Sequence, residues 1–190
     1  KSKSDIPKEY TGNCYAGGYA LEVKNGRITW SKNMKTNKIT RPGSKKSTVK
    51  TKKLKGSYYK IISKSKRTVQ YVKPVKKNII SVTIPSSIKL NGKRYKVTGI
   101  AANAFKNCKK LKKVTIGINV NSIGKRAFYG CSKLQTIKVK TSKLTGSRVG
   151  KQAFKGLNKK AVIKVPKKQL KAYKRLFRVK GVGKKVTIKK

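Results

Sequence analysis

Apolar and polar residues alternate in several short stretches of this chain. The first two stretches flank Asn25-Gly26 and place apolar side chains at every second position: Tyr19, Leu21, Val23, Ile28 and Trp30. Period-two alternation predicts half-buried strands, and Asn-Gly supplies the positive φ angles of a two-residue hairpin turn. The pattern therefore predicts a β-hairpin over residues 19–30.

The same reasoning extends the β structure to about residue 97. Short apolar runs predict strands at 58–62, 68–72 and 79–84, and a second Asn-Gly pair predicts a hairpin over 88–97. Residues 41–57 are rich in Lys, Ser, Gly and Thr, a composition typical of a basic linker. We therefore predict a β-rich N-terminal region over 1–77, with this linker near 41–57, and a second domain over 78–190.

From residue 100 onward the apolar pattern repeats. A 23-residue offset relates Phe105 to Phe128, each preceded by Ala and followed three positions later by Cys, and a 26-residue offset relates Phe128 to Phe154. The additional residues of the third copy fall in 140–148. A fixed period in the twenties indicates a solenoid, in which each unit buries its apolar face only against its neighbours.

Each copy also ends in a spaced apolar pair: Val114/Ile116, Ile137/Val139 and Ile163/Val165. We predict that each pair forms a short strand with both side chains inward, and that each Ala-Phe segment forms a helical or 3₁₀ turn whose Phe stacks on the next Phe. After Pro166, Leu170, Tyr173 and Phe177 predict an amphipathic helix ending near Gly181. A last strand over 186–188 completes a terminal cap.

Residues 122–134 (Ser-Ile-Gly-Lys-Arg-Ala-Phe-Tyr-Gly-Cys-Ser-Lys-Leu) and the neighbouring copies resemble the BspA-type leucine-rich repeats of bacterial surface and secreted proteins. The resemblance covers about residues 82–190 and leaves 1–80 outside it. Together with the hairpin patterns of the N-terminal residues, it implies a fold that is mainly β with short helices: a short leucine-rich-repeat solenoid with a C-terminal helix and strand cap, preceded by a small hairpin-rich N-terminal region. It also implies a non-catalytic module for adhesion or binding, extracellular or associated with a bacterial cell wall.

The charge of the chain is strongly one-sided. Its 54 Lys and Arg face three acidic residues, Asp5, Glu9 and Glu22, for a formal charge of +51, and it has no His. Because enzymes usually transfer protons with His, Asp or Glu, this composition argues against an enzyme, and we predict no catalytic residues and no cofactor. The cations must be neutralised from outside, which points to a polyanionic partner. Only eight of the 54 are Arg, the residue that binds phosphates and guanines in bidentate geometry. The composition therefore favours diffuse attraction of anions over sequence-specific recognition of bases.

Strand alternation identifies a candidate anion-binding face. The positions beside the inward pairs should point outward, and five of them are basic or hydroxylated: Lys113, Thr115, Thr136, Lys138 and Lys164. The alternative is a uniformly solvated lysine coat without a particular site. Tyr58, Tyr59 and Tyr71 could stack on bases or sugars, but burial in strands is the stronger expectation.

The three cysteines are too few for a disulfide scaffold. Cys108 and Cys131 occupy the same repeat position, so we expect two buried free thiols, with a disulfide between adjacent repeats as an alternative. Zinc is disfavoured because no His or acidic residue lies nearby, and no metal site is predicted. Cys14 is expected in a turn or in a pairing between chains, and Gly17-Gly18 in a turn rather than a phosphate loop.

These observations favour a binding or adhesion module whose lysine-rich surface engages polyanions such as cell-wall polymers or acidic glycans. A nucleic-acid-binding protein is the first alternative, although no helix-turn-helix, zinc-finger or RNA-recognition signature is present. A structural or adhesion protein with its specificity in the N-terminal region, recognising a protein partner, is the second. No apolar window reaches the length that would predict a transmembrane segment. The chain starts at Lys1 with no signal peptide in view, which we interpret as a mature or truncated chain.

Overall fold

The computed structural model describes residues 51–190 and the backbone of four strands that precede them. Those strands are β1 (Gly12–Ala16), β2 (Tyr19–Lys24), β3 (Arg27–Asn33) and β4 (Lys38–Thr40). The chain divides into two compact units, Lys1–Val49 and Lys50–Lys190. The domain boundary predicted at 77/78 lies inside the second unit.

The four strands of the first unit form an antiparallel sheet in the order β1-β2-β3-β4. Pairing of β2 with β3 places Lys24 opposite Arg27 and confirms the first hairpin, whose Asn25-Gly26 turn lies outside the described residues. The prediction of a turn at Cys14 is wrong for the backbone, which lies in β1 opposite Leu21. Pairing with the apolar strand β2 has outweighed the turn-like composition around Cys14. The Cys14 thiol and Gly17-Gly18 lie outside the described residues.

The second unit begins with a three-stranded antiparallel meander: β5 (Thr51–Leu54), β6 (Ser57–Ser63) and β7 (Thr68–Pro74). The predicted linker over 41–57 is therefore wrong from residue 51 onward, and residues 41–50 lie outside the described residues. Lys55 and Gly56 have φ angles of 45° and 74°, as the two central residues of a type I′ hairpin turn require. Lys-Gly carries this turn where Asn-Gly is the usual signal, which is why composition alone suggested a linker.

The remaining strands are divided between two sheets, and an α-helix lies between the last two of them. They are β8 (Ser81–Ile84), β9 (Ser87–Leu90), β10 (Lys93–Ile100), β11 (Lys113–Ile116), β12 (Ser122–Ile123), β13 (Thr136–Val139), β14 (Val162–Lys164), α1 (Leu170–Val179) and β15 (Thr187–Lys189). The antiparallel pair β9–β10 confirms the second hairpin. One sheet has the order β12-β10-β7-β6-β5, with β9 also on β10, so strands from both sides of residue 77 share it.

The other sheet, called the repeat sheet below, is parallel throughout and has the order β15-β14-β13-β11-β8. The predicted apolar pairs lie in it as expected: all six side chains are buried. Val114 is in register with Ile137, and Ile137 with Ile163. Because the register never shifts, every repeat presents the same inward and outward positions.

The Ala-Phe segments form successive hydrogen-bonded turns that stack on each other. Within a turn the bonds are of the predicted 3₁₀ type, for example Lys106 N–H to Asn103 O at 3.1 Å. Asn103 and Asn107 both have φ of 58°, and the equivalent residues of the next two copies are also left-handed: Arg126, Gln152, Gly130 and Gly156. Two left-handed residues four positions apart prevent the turn from continuing as a helix.

A continuous stack of aromatic rings runs through these turns. The rings of Phe105 and Phe128 are parallel within 6°, with centroids 5.0 Å apart, and Phe128 and Phe154 follow at 5.4 Å and 8°. This confirms the predicted stacking of the phenylalanines. Tyr71 extends the stack at one end and Phe177 of α1 closes it at the other.

The C-terminal cap also matches the sequence pattern. A single 3₁₀ turn, Lys167–Gln169, leads into α1, which buries Tyr173 and Phe177 against the core. The insertion over 140–148 contacts this helix: the Tyr173 hydroxyl donates to Thr141 O at 3.0 Å and accepts from Leu144 N–H at 3.1 Å. The insertion thus ties the third repeat to the cap. No helix of the described part of the chain combines the length and the apolarity that a membrane crossing requires.

Candidate functional site

The outer face of the repeat sheet consists of two rows of side chains, one residue from each strand in each row. The first row, from one sheet edge to the other, is Ser81, Lys113, Thr136, Val162 and Thr187. The second row is Thr83, Thr115, Lys138, Lys164 and Lys189. None of these ten side chains is buried. The face therefore offers ammonium and hydroxyl groups along with a single aliphatic side chain.

Three lysines follow one another in the second row, on β13, β14 and β15. Lys138 is in register with Lys164, and Lys164 with Lys189, and all three side chains are exposed. We call these three residues the lysine ladder. Neighbouring strands lie about 4.8 Å apart, so the backbone positions of the ladder span about 10 Å.

The lysine ladder is an unfavourable arrangement in the free protein. Like charges directly opposite each other on adjacent strands destabilise a sheet. Residues 51–190 contain 42 of the 54 Lys and Arg but no Asp or Glu, so no acidic side chain of this unit can neutralise them. An anion bound along the ladder would remove the repulsion, and this is the chemistry that the site supports.

The structure brings the five predicted residues onto one face but divides them between its rows. Thr115, Lys138 and Lys164 lie in the second row, whereas Lys113 and Thr136 lie opposite each other in the first. Sequence reasoning missed Lys189, which completes the ladder. The missed signal is the alternation of Val186, Thr187 and Ile188, which continues the inward and outward pattern of the repeats into the cap.

A further set of cations recurs at a repeat position outside the strands. Each of these lysines lies a few residues before an inward pair, and all are exposed: Lys110, Lys133, Lys159 and Lys184. The 23-residue and 26-residue offsets relate the first three, and a 25-residue offset relates the last two, as it relates Lys164 to Lys189. Strand alternation does not predict this row, because alternation places only the residues that flank the inward positions.

The tyrosines considered for stacking on a ligand are largely used in the core. Tyr59 and Tyr71 are buried and pack edge to face, with 5.5 Å between their ring centroids. Tyr58 is half-buried, with the Lys73 ammonium 5.6 Å from its ring centroid. Burial raises the pKa of Tyr59 and Tyr71 above the usual phenol range, so both stay neutral.

Cys108 and Cys131 are buried free thiols, as predicted. The Cys131 thiol donates to Phe105 O at 3.1 Å. Burial, and then the neighbouring Cys108, raise the pKa of Cys131 to about 12, and burial also raises the pKa of Cys108. A thiol needs its thiolate to act as a nucleophile, so neither group is activated. Among residues 51–190 no cluster of three or more His, Cys, Asp or Glu could hold a metal ion.

The sequence of this chain matches one known family of repeats. The family model of the BspA type leucine rich repeat region, in six copies, matches residues 75–190. No curated protein sequence matches the chain.

The fold recurs in a solved structure at low sequence identity. A leucine rich cell surface protein from Faecalibacterium prausnitzii A2-165 is 21% identical with a TM-score of 0.50, over 64% of this chain and 38% of its own. A leucine-rich repeat protein from Bacteroides capillosus ATCC 29799 is 21% identical with a TM-score of 0.49, over 73% of this chain and 97% of its own. This chain therefore spans about two fifths of the length of the first of them.

Proposed function

The chain belongs to the BspA type leucine-rich repeat family, whose model covers 75–190, and on this basis we propose that it is a non-catalytic binding module for linear polyanions. The proposed ligands are phosphorylated, sulfated or carboxylated polymers such as cell-wall polymers and acidic glycans. The lysine ladder is the proposed centre of the site, and Lys113, Thr115 and Thr136 lie around it on the same face.

The single observation that carries this proposal is the register of Lys138, Lys164 and Lys189 on three adjacent parallel strands. A polymer lying across the strands would place successive anionic groups beside successive ammonium groups. The threonines of the two rows add hydroxyl groups that can donate to and accept from sugar or phosphate oxygens. No acidic side chain of residues 51–190 would oppose such a ligand.

Binding of this kind has a characteristic salt dependence. Each ammonium group that neutralises an anionic group releases a counterion, so log K falls linearly with log salt concentration. For a ladder of three lysines, we expect the Lys138→Thr/Lys164→Thr/Lys189→Thr variant to reduce the magnitude of this slope by about two to three. The matched control is Lys168→Ala/Lys171→Ala/Lys174→Ala, which removes three exposed cations near or on α1. This control should reduce the magnitude of the slope by less than about one.

The experiment measures the affinity of the full chain for polyphosphate, heparin and single-stranded DNA, which lacks the high charge density of the duplex, between about 0.05 and 0.5 M salt. If the two variants have equal slopes of log K against log salt concentration, the ligand binds a diffuse lysine coat, and the lysine ladder is not the binding site. Tighter binding of DNA than of both other polymers would favour the nucleic-acid alternative. If no polymer binds or raises the melting temperature at low salt, the proposed function is wrong.

We also propose that the protein is exposed on a bacterial cell surface. Membership of the repeat family supports this location, and one structural relative is described as a cell surface protein. Antibodies against residues 51–190 should label intact cells of the source bacterium and lose their signal after external protease treatment. Labelling only after permeabilisation would contradict the proposal.

A further inference from the structure

The stacked turns end at the first repeat in an edge of backbone carbonyl groups that accept no hydrogen bond from residues 51–190. In the following turns each such carbonyl accepts a bond from the preceding turn: Phe105 N–H donates to Ala127 O at 2.7 Å, and Asn107 N–H to Tyr129 O at 2.8 Å. Phe128 and Gly130 N–H repeat this pattern toward the third turn at 2.8 and 2.9 Å. The equivalent carbonyls of the first turn are those of Ala104 and Lys106, and neither accepts a hydrogen bond within residues 51–190.

The segment that precedes these carbonyls does not supply donors. It contains Lys73, Pro74 and Val75, at and just beyond the end of β7. Pro74 has no N–H, and the N–H of Val75 donates to Gly56 O, in the turn between β5 and β6, at 2.9 Å. Tyr71 takes the place of a preceding ring in the aromatic stack, 5.1 Å from Phe105, but the described part of the chain places no turn before the first.

A pocket of about 480 Å³ occupies this place. Ala104 and Lys106 line one side of it, and Lys73, Pro74 and Val75 line the other. Its other lining residues are Tyr58, Lys77, Asn103, Asn107 and Cys108. Three lysines and two asparagines thus line the same pocket as the two residues whose carbonyls lack donors within residues 51–190, and no acidic residue lines it.

We propose that this pocket binds an acidic peptide segment of a partner protein. The two carbonyls belong to alternate residues, and their counterparts in the stack receive N–H groups from alternate residues of one turn. A peptide that adopts the same turn would present its N–H donors to Ala104 O and Lys106 O, so that main-chain hydrogen bonds would contribute to the affinity. Carboxylates on the same peptide would pair with Lys73, Lys77 and Lys106. The pocket is separate from the lysine ladder, which lies on the repeat sheet.

A second copy of this chain fits the pocket poorly. The opposite end of the turn stack carries the N–H group of Gly156, which donates to no backbone carbonyl within residues 51–190. It also carries the exposed Lys155. Head-to-tail stacking would bring this cation against Lys73 and Lys77, and like charges brought together across an interface oppose association. The favoured occupant therefore combines N–H donors with negative charge.

The test uses the full chain labelled with ¹³C and ¹⁵N and a ten-residue peptide of alternating Thr and Glu, blocked at both ends. The matched probe is an acrylate oligomer with five carboxylates, which has the same charge but no N–H donor. At about 0.05 M salt the peptide should shift the carbonyl ¹³C resonances of Ala104 and Lys106, and the acrylate oligomer should not. Lys73→Ala/Lys77→Ala should weaken peptide binding about ten-fold, as the loss of two exposed ion pairs implies.

Two further variants make the outcome decisive. Lys171→Ala/Lys174→Ala removes the same charge from exposed positions of α1 and should change the affinity less than two-fold. Lys73→Arg/Lys77→Arg keeps the charge and should retain binding. The proposal would be overturned if both alanine variants lost the same peptide affinity. It would also be overturned if the acrylate oligomer shifted the Ala104 and Lys106 carbonyl resonances as much as the peptide does, or if the peptide shifted only resonances of the lysine ladder. Self-association that the peptide does not prevent, or a sulfated oligosaccharide that shifts Ala104 and Lys106 more strongly than the peptide, would overturn it as well.

Discussion

The rings of Phe105 and Phe128 stack face to face, 5.0 Å apart and within 6° of parallel, although they belong to different copies of the repeat. The same relationship recurs between Phe128 and Phe154, so Phe128 has a ring on each side. Its side chain thus links the first copy of the turn to the third. Phe128 is therefore the central ring of the stack, with Tyr71 and Phe105 before it and Phe154 and Phe177 after it.

Phe128→Ala should lower the free energy of unfolding by about 3–5 kcal/mol, since it removes a fully buried ring and both of its stacking contacts. Phe128→Leu should cost less because it refills much of the volume. Urea unfolding followed by circular dichroism measures both. A loss below about 1 kcal/mol for the alanine variant would show that the turns are held by their backbone hydrogen bonds instead.

Gly150→Ala should also be destabilising, because the repeats approach too closely there for a side chain. An added Cβ would overlap the backbone nitrogen of Lys125, and backbone cannot move aside as a flexible side chain does. We expect a loss of about 1–3 kcal/mol, typical of overpacking. Gly146→Ala is the matched control, since nothing lies within 4 Å of its added Cβ. Equal melting temperatures for the two variants would contradict the close approach.

Lys164→Thr should stabilise the free protein, because it removes the central charge of the lysine ladder. At low salt we expect a gain of about 0.5 kcal/mol in the free energy of unfolding, and no gain at about 1 M salt, where the repulsion is screened. Polyanion affinity should fall in the same variant. Lys113→Thr is the control: its in-register neighbours are Ser81 and Thr136, so it should give no comparable gain. Gains of equal size would mean that net charge, rather than register, sets the effect.

The raised pKa of Cys131 predicts a pH dependence of stability. Burial raises this pKa from 9.0 to about 12, so the folded state holds the thiol proton more tightly than the unfolded chain does. The resulting stability is present below pH 9 and is lost as the pH rises from 9 toward 12. Between about pH 8 and 10.5, the free energy of unfolding, measured by urea titration, should therefore fall by about 2 kcal/mol more for the wild type than for Cys131→Ala. Ser132→Ala, at an exposed neighbouring position, should follow the wild type. If the free energy of unfolding varies with pH in the same way for the wild type and Cys131→Ala, the pKa of Cys131 is not raised.

Periodicity in the sequence was sufficient to predict the repeats. The spacing of Phe105, Phe128 and Phe154 and of the inward pairs is local information, because each side chain packs against its equivalents one period away. The hairpin at Asn91-Gly92 was equally clear, since its turn chemistry lies within two adjacent positions. The strand over 51–54 was missed because Lys-Gly is a weak turn signal and because its pairing partner, β6, lacks strict alternation.

The sequence by itself determined that the chain is a cationic repeat protein with Phe-stacked turns and a helical cap. Its period fixes which residues face inward, and its composition leaves the lysines of residues 51–190 no acidic partner within that segment. Only the tertiary structure decided which lysines lie side by side, because register joins Lys138, Lys164 and Lys189 from strands that are distant along the chain. It also decided where the stack ends, since the open carbonyls of Ala104 and Lys106 depend on what packs before them rather than on their own residue types.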